Sequence, residues 1–206
     1  QSSPIPSLGY GEAIELARLD TPVLHPATVE PLRSVGIPLE IRGIHRPKAA
    51  TIIGPDLHQT RRVKAIGCLP NIIRIRARAP SLESQNEQLG RVLIEFAQEN
   101  IPCWNLDSTP EEITWVVSQH DIGKASSIVA THFSTPEKEE YGVMFSLVGN
   151  KLPEDSESAL IDEIQSLLEV EVISETDHAI RLLSKNKEIL SMLEILADCL
   201  NLSIES

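Results

Sequence analysis

The chain has 206 residues, 41% of them hydrophobic but only 3% aromatic, and its 18 Lys+Arg against 30 Asp+Glu give a formal charge of −12. One or two domains with an aliphatic core are expected, and the acidic surface argues against non-specific nucleic-acid binding, which needs a basic face that displaces counterions, and against an anionic membrane surface. No apolar run approaches the ~18 residues of a spanning helix, and no charged-then-apolar leader opens the sequence.

Charge is unevenly spread: residues 1–80 hold 11 Lys+Arg against 6 Asp+Glu, and residues 81–206 hold 7 against 24. Such a split points to at least two structural parts. Cys68, Cys103 and Cys199 are odd in number, far apart and without a C-x-x-C pair. Free thiols in a reducing, cytoplasmic setting are expected, rather than a disulfide framework or a zinc site.

Residues 1–8, "QSSPIPSL", read as extended. From Tyr10 to Leu19, Ala13, Ile14, Leu16 and Ala17 fall at helical spacing. Thr21-Pro22 stops that helix, and Pro26 suits the first turn of a second, where its missing N–H costs nothing. Gly36 is placed as a left-handed cap, with Pro38 beyond it. "IPLEIRG" (37–43) and "ATII" (50–53) read as strands, and a boundary is expected near residue 60.

Beyond that boundary the sequence repeats at an offset of 67. Leu93-Ile94 falls on Leu160-Ile161, Ile101 on Leu168, Leu106 on Ile173, Thr109 on Thr176 and Ile113 on Ile180. Each copy reads strand, helix, strand, tight turn, strand, helix. The first has "NIIRIRARA" (71–79), a capping box at Ser84-Gln85-Asn86-Glu87, a helix over 86–99 burying Leu89, Val92, Leu93, Phe96 and Ala97, strands "IPCWNL" and "EITWVVS" about the turn "DSTP", and a helix over 122–132. The second has "YGVMFSLVG" (141–149), a helix over 157–168, strands near 169–174 and 178–184, and a helix over 186–200 burying Ile189, Leu193, Leu196 and Leu200. This is the ferredoxin-like βαββαβ plan in tandem, an α+β fold. "RVKAIG" (62–67) and the C-terminal "NLSIE" are the candidates for the missing fourth strands.

Chemistry is sparse. There is no G-x-x-x-x-G-K-[ST] and no G-x-G-x-x-G, and the six histidines lack metal-ligand spacing, so neither a phosphate cradle nor a metal site is expected. Arg74, Arg76 and Arg78 alternate with Ile73, Ile75 and Ala77, which puts three guanidinium groups on one sheet face. Without interleaved aromatics that face is read as neutralised by the protein's own carboxylates rather than as a nucleic-acid surface. Asp107–Glu111 joins two strands beside the helix-entry loop 80–88 and is either an ordinary turn or one wall of a small-molecule pocket. Trp104 and Trp115 on neighbouring strands serve either the core or an association surface.

"GYGEAIELARLDTPVLHPATVEPLRSVGIPLEIRGIHRPKAATII" resembles the end of the catalytic domain of aspartate kinases. That family has S-Y-x-E-A-x-E-L-A, then V-L-H-P-x-T-[IV]-x-P, then N-I-P-[IL], matched here by Tyr10, Glu12, Ala13, Glu15, Leu16, Ala17, Val23, Leu24, His25, Pro26, Thr28, Pro31, Ile37 and Pro38. The resemblance implies a kinase-domain remnant over 1–60, a first ACT domain over 61–136 and a second over 137–206, and it leaves open whether the two exchange strands. It also implies that the family's nucleotide and aspartate sites lie mostly in sequence N-terminal to this chain, with ATP and Mg belonging to the parent kinase. The chain is therefore expected to be a non-catalytic regulatory region without a cofactor of its own, dimerising through its ACT domains and sensing an amino acid of the lysine or threonine class. Leu89, Asn105 and Glu111 are the effector-site residues that the resemblance carries over. The family's glycine before the first ACT helix is replaced by Glu87-Gln88, and the Pro-Gly before the second is absent. A structural dimerisation module with a decayed effector site is thus the alternative. A fusion of the parent to homoserine dehydrogenase stays open.

Overall fold

A computed structural model describes residues 5–19, 24–43, 46–55, 63–79, 81–150, 152 and 155–200. The elements in chain order are β1 (Ser7–Gly9), α1 (Tyr10–Arg18), α2 (Pro26–Val35), β2 (Leu39–Gly43), β3 (Arg46–Gly54), β4 (Val63–Arg78), α3 (Leu82–Gln98), β5 (Asn105–Ser108), β6 (Ile113–Ser118), α4 (Ile122–His132), β7 (Ser134–Gly149), α5 (Asp155–Leu167), β8 (Val170–Glu175), β9 (Ala179–Ser184) and α6 (Ile189–Cys199). Contacts divide the chain into two compact units. One holds Gln1–Leu69, Met144–Leu183 and Glu188–Ser206; the other holds Pro70–Val143 and Ser184–Lys187.

The first unit begins with a three-stranded sheet ordered β1-β3-β2, β1 parallel to β3 and β2 antiparallel to it. Local signals account for its helices. In α1, Glu12 in the first turn accepts a hydrogen bond from the Gly9 N–H at 2.6 Å, and Tyr10, Ala13, Ile14 and Ala17 turn inward. In α2, His25 is the N-cap, its ring accepting from the Ala27 N–H at 3.2 Å, with Pro26 in the first turn. Gly36 closes that helix at φ 71°, a conformation that costs a glycine nothing. Leu8, Tyr10, Ala13, Ile14, Val29 and Ile53 form the small core beneath. The Thr21-Pro22 stop lies outside the described residues.

The same unit contains the second repeat copy. Its strands run β7-β9-β8, with β4 on the other side of β7. Met144, Phe145, Leu147 and Val148 of β7 are all fully buried, so this stretch reads as a continuous apolar run rather than an alternating one. On α6 the buried residues are Met192, Leu196 and Ala197, while Ile189, Leu193 and Leu200 are half-buried. The buried stripe is thus rotated from the expected one, with only Leu196 in common.

The second unit orders its strands β5-β6-β4-β7. Its core gathers Ile73, Ile75 and Ala77 of β4, Ile113, Trp115 and Val117 of β6, Val92 and Phe96 of α3, and Ala125 and Val129 of α4. Trp115 meets Phe133 edge-on at 5.4 Å between ring centroids. Three expectations change here. Helix α3 starts at Leu82 behind an N-cap Ser81, whose hydroxyl accepts from Ser84 N at 3.3 Å, so Ser84 is inside the helix instead of capping it. Leu93 is 37% exposed, and Ala97 is exposed as well. Asp107 and Ser108 belong to β5, and the turn follows them.

Segments 62–67 and 71–79, read as two strands, are largely one: β4 runs on through Pro70 and Asn71, the latter at φ 56°, a left-handed conformation that asparagine tolerates. Likewise β7 starts seven residues before the expected Tyr141. The unit boundaries fall inside these two long strands, so each strand serves one unit with one half and the other unit with the other half. The C-terminal "NLSIE" lies outside the described residues.

Candidate functional site

In the second unit, the first turn of α3 faces the turn between β5 and β6. The hairpin register sets Asn105 opposite Val116 and Ser108 opposite Ile113. Beyond Ser108 the chain is closed by Thr109, whose N–H donates to the Glu112 carbonyl at 2.9 Å. The Thr109 hydroxyl accepts from Glu111 N at 3.3 Å and Glu112 N at 3.2 Å. Across from this turn Gln85, 2% exposed, donates from Nε2 to Ser108 Oγ at 3.0 Å and to the Thr109 carbonyl at 2.7 Å.

The three residues carried over from the family resemblance are placed as follows. Leu89, half-buried, packs against the unit's core one turn after Gln85. Asn105 is half-buried at the start of β5, where its carbonyl accepts from Cys103 Sγ at 3.1 Å. Burial pushes that thiol up to about 11. Glu111 is exposed in the turn at the other end of the hairpin. Asn105 and Glu111 are thus held apart by the length of β5, roughly 10 Å for three residues of strand. Gln85 was read as part of a cap. Its burial depends on a turn 23 residues further along, which no local pattern reports.

The arginine face of β4 is neutralised from within. Arg76 bonds Glu139 at 2.6 Å, Arg74 lies 3.9 Å from the same carboxylate and stacks over Tyr141 at 4.9 Å, and Arg78 lies 3.9 Å from Glu112. Lys185 adds a third cation to Glu139 at 2.7 Å, and these neighbours, Lys185 foremost, hold its carboxyl below the usual range. On the other face a groove of about 460 Å³ runs between α3 and α4, lined by Glu95, Glu99, Lys124 and Ser127 among others. Its charges are paired internally: Lys124 bonds Glu99 at 2.8 Å and holds that carboxyl below its ordinary value, and His132 meets Glu95 at 2.5 Å.

In the first unit a cleft of about 160 Å³ lies among Gly9, Glu12, Pro38, Ile52, Lys64 and Asn150. Glu12 is fully buried there; Oε2 accepts from Lys64 Nζ at 2.8 Å, and Oε1 has no hydrogen-bond partner among the described residues. Helix α1 is held at two further points. Glu15 pairs with Arg181, which also donates to Ser174 Oγ at 3.2 Å. Gly11 lies under the His178 ring, where a Cβ would come within 2.2 Å. Among the described residues no group of acidic, histidine and cysteine side chains could hold a metal ion, and no helix is long and apolar enough to cross a membrane.

The described architecture is thus an α+β chain with two βαββαβ copies, two long strands and a polar turn facing a helix entry. No protein-family profile matches it. Its homologues and structural neighbours are aspartokinases. The chain is 23% identical over 206 residues to the bifunctional aspartokinase/homoserine dehydrogenase of Buchnera aphidicola, covering 91% of this chain and 25% of that protein. It is 26% identical over 134 residues to the Haemophilus influenzae protein of the same name, covering 63% of this chain and 16% of that one. Among solved structures, Clostridium acetobutylicum aspartate kinase superposes with TM-score 0.80 at 17% identity, over 97% of this chain and 49% of that one. Escherichia coli aspartokinase III in complex with lysine and aspartate gives 0.74 at 18%, over 95% and 46%. The ligand-free regulatory subunit of Thermus thermophilus aspartate kinase gives 0.53 at 12%, over 68% of this chain and 98% of that subunit. The chain therefore spans a quarter or less of these curated relatives and about half of the two whole aspartate kinases.

Proposed function

We propose that this chain is the regulatory region of an aspartate kinase. It would bind a small amino acid, dimerise, and pass its state to a catalytic part that phosphorylates aspartate with ATP and Mg, itself carrying no catalytic residue. The supporting observation is that aspartate kinase structures superpose on nearly the whole chain and a ligand-free aspartate kinase regulatory subunit on 68% of it. The effector site is placed where α3 enters opposite the β5–β6 turn. Leu89 lies beside it and Glu111 in the turn, while Asn105 is the contact proposed from the far end of β5. The dimer is placed along β5, an edge strand of its sheet, on which Leu106 is 39% exposed, with Ile94 of α3 60% exposed. A cytoplasmic location goes with this reading.

Titration calorimetry with lysine, threonine and methionine tests it. Heat at millimolar amino acid that is lost in Asn105→Ala and kept in Arg76→Ala is expected. No heat, with dimerisation intact, would favour the second reading, a structural dimerisation module. That reading has its own support in the way the turn's acceptors are already engaged by Gln85. Aspartyl phosphate made by the chain from aspartate and ATP would refute a purely regulatory role.

A further inference from the structure

The β5–β6 turn supplies most of its own hydrogen-bond donors, but the acceptors that face α3 are served from outside the turn. Ser108 Oγ and the Thr109 carbonyl both receive the same atom, Nε2 of Gln85, at 3.0 and 2.7 Å. A carbonyl oxygen only accepts, so the carboxamide atom facing it is nitrogen. At 2% exposure, Gln85 is the most buried polar side chain of α3, while Leu82, three residues earlier, is 55% exposed. An apolar residue is left outside and an amide is drawn in, which sequence periodicity would not arrange.

A nitrogen with several N–H bonds, aimed at a hydroxyl and a backbone carbonyl, is also what the ammonium of a free amino acid presents. We propose that Gln85 is an internal competitor for the effector. Its carboxamide fills the ammonium position, holds the turn against α3 when no amino acid is bound, and must swing out for one to bind. This rests on the effector reading given above. The competition is winnable: neutral hydrogen bonds contribute little net free energy, the ordered glutamine regains rotamer freedom on release, and bonds from an ammonium are charge-assisted and stronger.

The test is calorimetric titration of L-lysine and of L-threonine into the wild-type chain, Gln85→Ala and Gln85→Glu, with nitrogen-15 NMR of the Gln85 side-chain amide in the wild type. Gln85→Glu keeps the volume but sets a carboxylate against the Thr109 carbonyl, which can only accept, so it too should vacate the position. Both variants are expected to bind about fivefold or more tightly than wild type, and the Gln85 amide signals should shift and lose exchange protection at saturation. Binding only in the variants would also support the proposal. Binding of equal strength in wild type and in folded variants, or Gln85 signals unmoved at saturation, would overturn the competitor while leaving the effector reading standing. No binding by any of the three proteins would overturn both.

Discussion

Replacing Lys64 by methionine tests how the segment ahead of the repeat is held. The Glu12 side chain has no exposed area and that of Lys64 only 19%. The carboxylate receives two donors, the Gly9 N–H at 2.6 Å and Lys64 Nζ at 2.8 Å, both on Oε2. Removing the ammonium leaves a charge out of water with one backbone N–H. Orphaning one member of a buried pair costs about 3–5 kcal/mol, and the partial exposure of Lys64 argues for about 3. Glu12→Gln should cost less, about 1–2 kcal/mol, because a neutral amide still accepts from Gly9 while Lys64 can extend to solvent. The double variant Glu12→Leu, Lys64→Met buries no ion and should recover to within about 1 kcal/mol of wild type. Urea denaturation followed by circular dichroism gives the free energies, and hydrogen exchange over residues 5–19 shows where the loss falls. A cost below about 1 kcal/mol for Lys64→Met, with α1 amides unchanged, would refute the claim that this carboxylate is desolvated and paired. A Glu12→Gln variant worse than Lys64→Met would do the same.

Other consequences can be checked directly. Glu139 is held below its ordinary 4.5 by Lys185, Tyr141 and Arg76, so its contribution to stability is present above that value and lost as pH falls through the lower folded one. Glu139→Gln should accordingly flatten the acid side of the melting-temperature profile, and an unchanged slope between about pH 5 and 3 would contradict the pairing. At Gly142 an added Cβ would come within 2.0 Å of the Asn186 carbonyl oxygen, which is backbone and cannot step aside. Gly142→Ala should destabilise by 2 kcal/mol or more on the order of a strained core site, whereas Gly123→Ala, in open space on α4, should stabilise by about 0.5–1 kcal/mol. Cys103, buried and with its thiol pushed up to about 11, should react with a disulfide reagent at pH 8 more slowly than Cys68 or Cys199, and a Cys103 that reacts first would contradict its burial.

Much of this fold is local chemistry and was therefore legible in the sequence. His25, Pro26 and Gly36 each fix a backbone position by their own side chain or its absence, and α2 begins and ends where they require. Helix α4 matches its expected bounds, 122–132, because Phe133 returns to extended backbone. The repeat is legible where equivalent apolar positions are buried alike, as Ile101 with Leu168 and Ile113 with Ile180, although Ile94 is exposed where Ile161 is buried. What local pattern misses is pairing at a distance. The segment 134–140, "STPEKEE", has no strand-like alternation of apolar residues, yet it is strand because it lies along β4 and sets Glu139 against Arg74 and Arg76. Gln85 is hidden for the same reason, since nothing within its own helix needs it. The candidate effector residues carried over from the resemblance are placed by the fold in a way no motif reports. A motif locates strands and turns, but the hairpin register then separates Asn105 from Glu111.

The N-terminal segment presents two kinds of surface. A helix left behind by a larger domain should expose the face that once packed on it, and Val35, Ile37 and Ile52 do stand 52–65% exposed. Helix α1 behaves otherwise. It lies in the same compact unit as the second repeat copy and is tied there by chemically distinct contacts: Glu12 to Lys64 of β4, Glu15 to Arg181 of β9, and Gly11 against the ring of His178 between β8 and β9. Two of the three are ion pairs with little exposed side-chain surface, which cannot slide to a neighbouring register as an apolar face can, because each offset would strand a charge. Displacing β9 relative to α1 must therefore break Glu15 from Arg181 or carry the helix along with the strand. A packed apolar contact would absorb a small shift by rotamer change, while a buried ion pair transmits it or fails. In this chain the elements that resemble the end of a catalytic domain are thus joined to the second copy by two poorly exposed ion pairs and one close glycine–histidine contact.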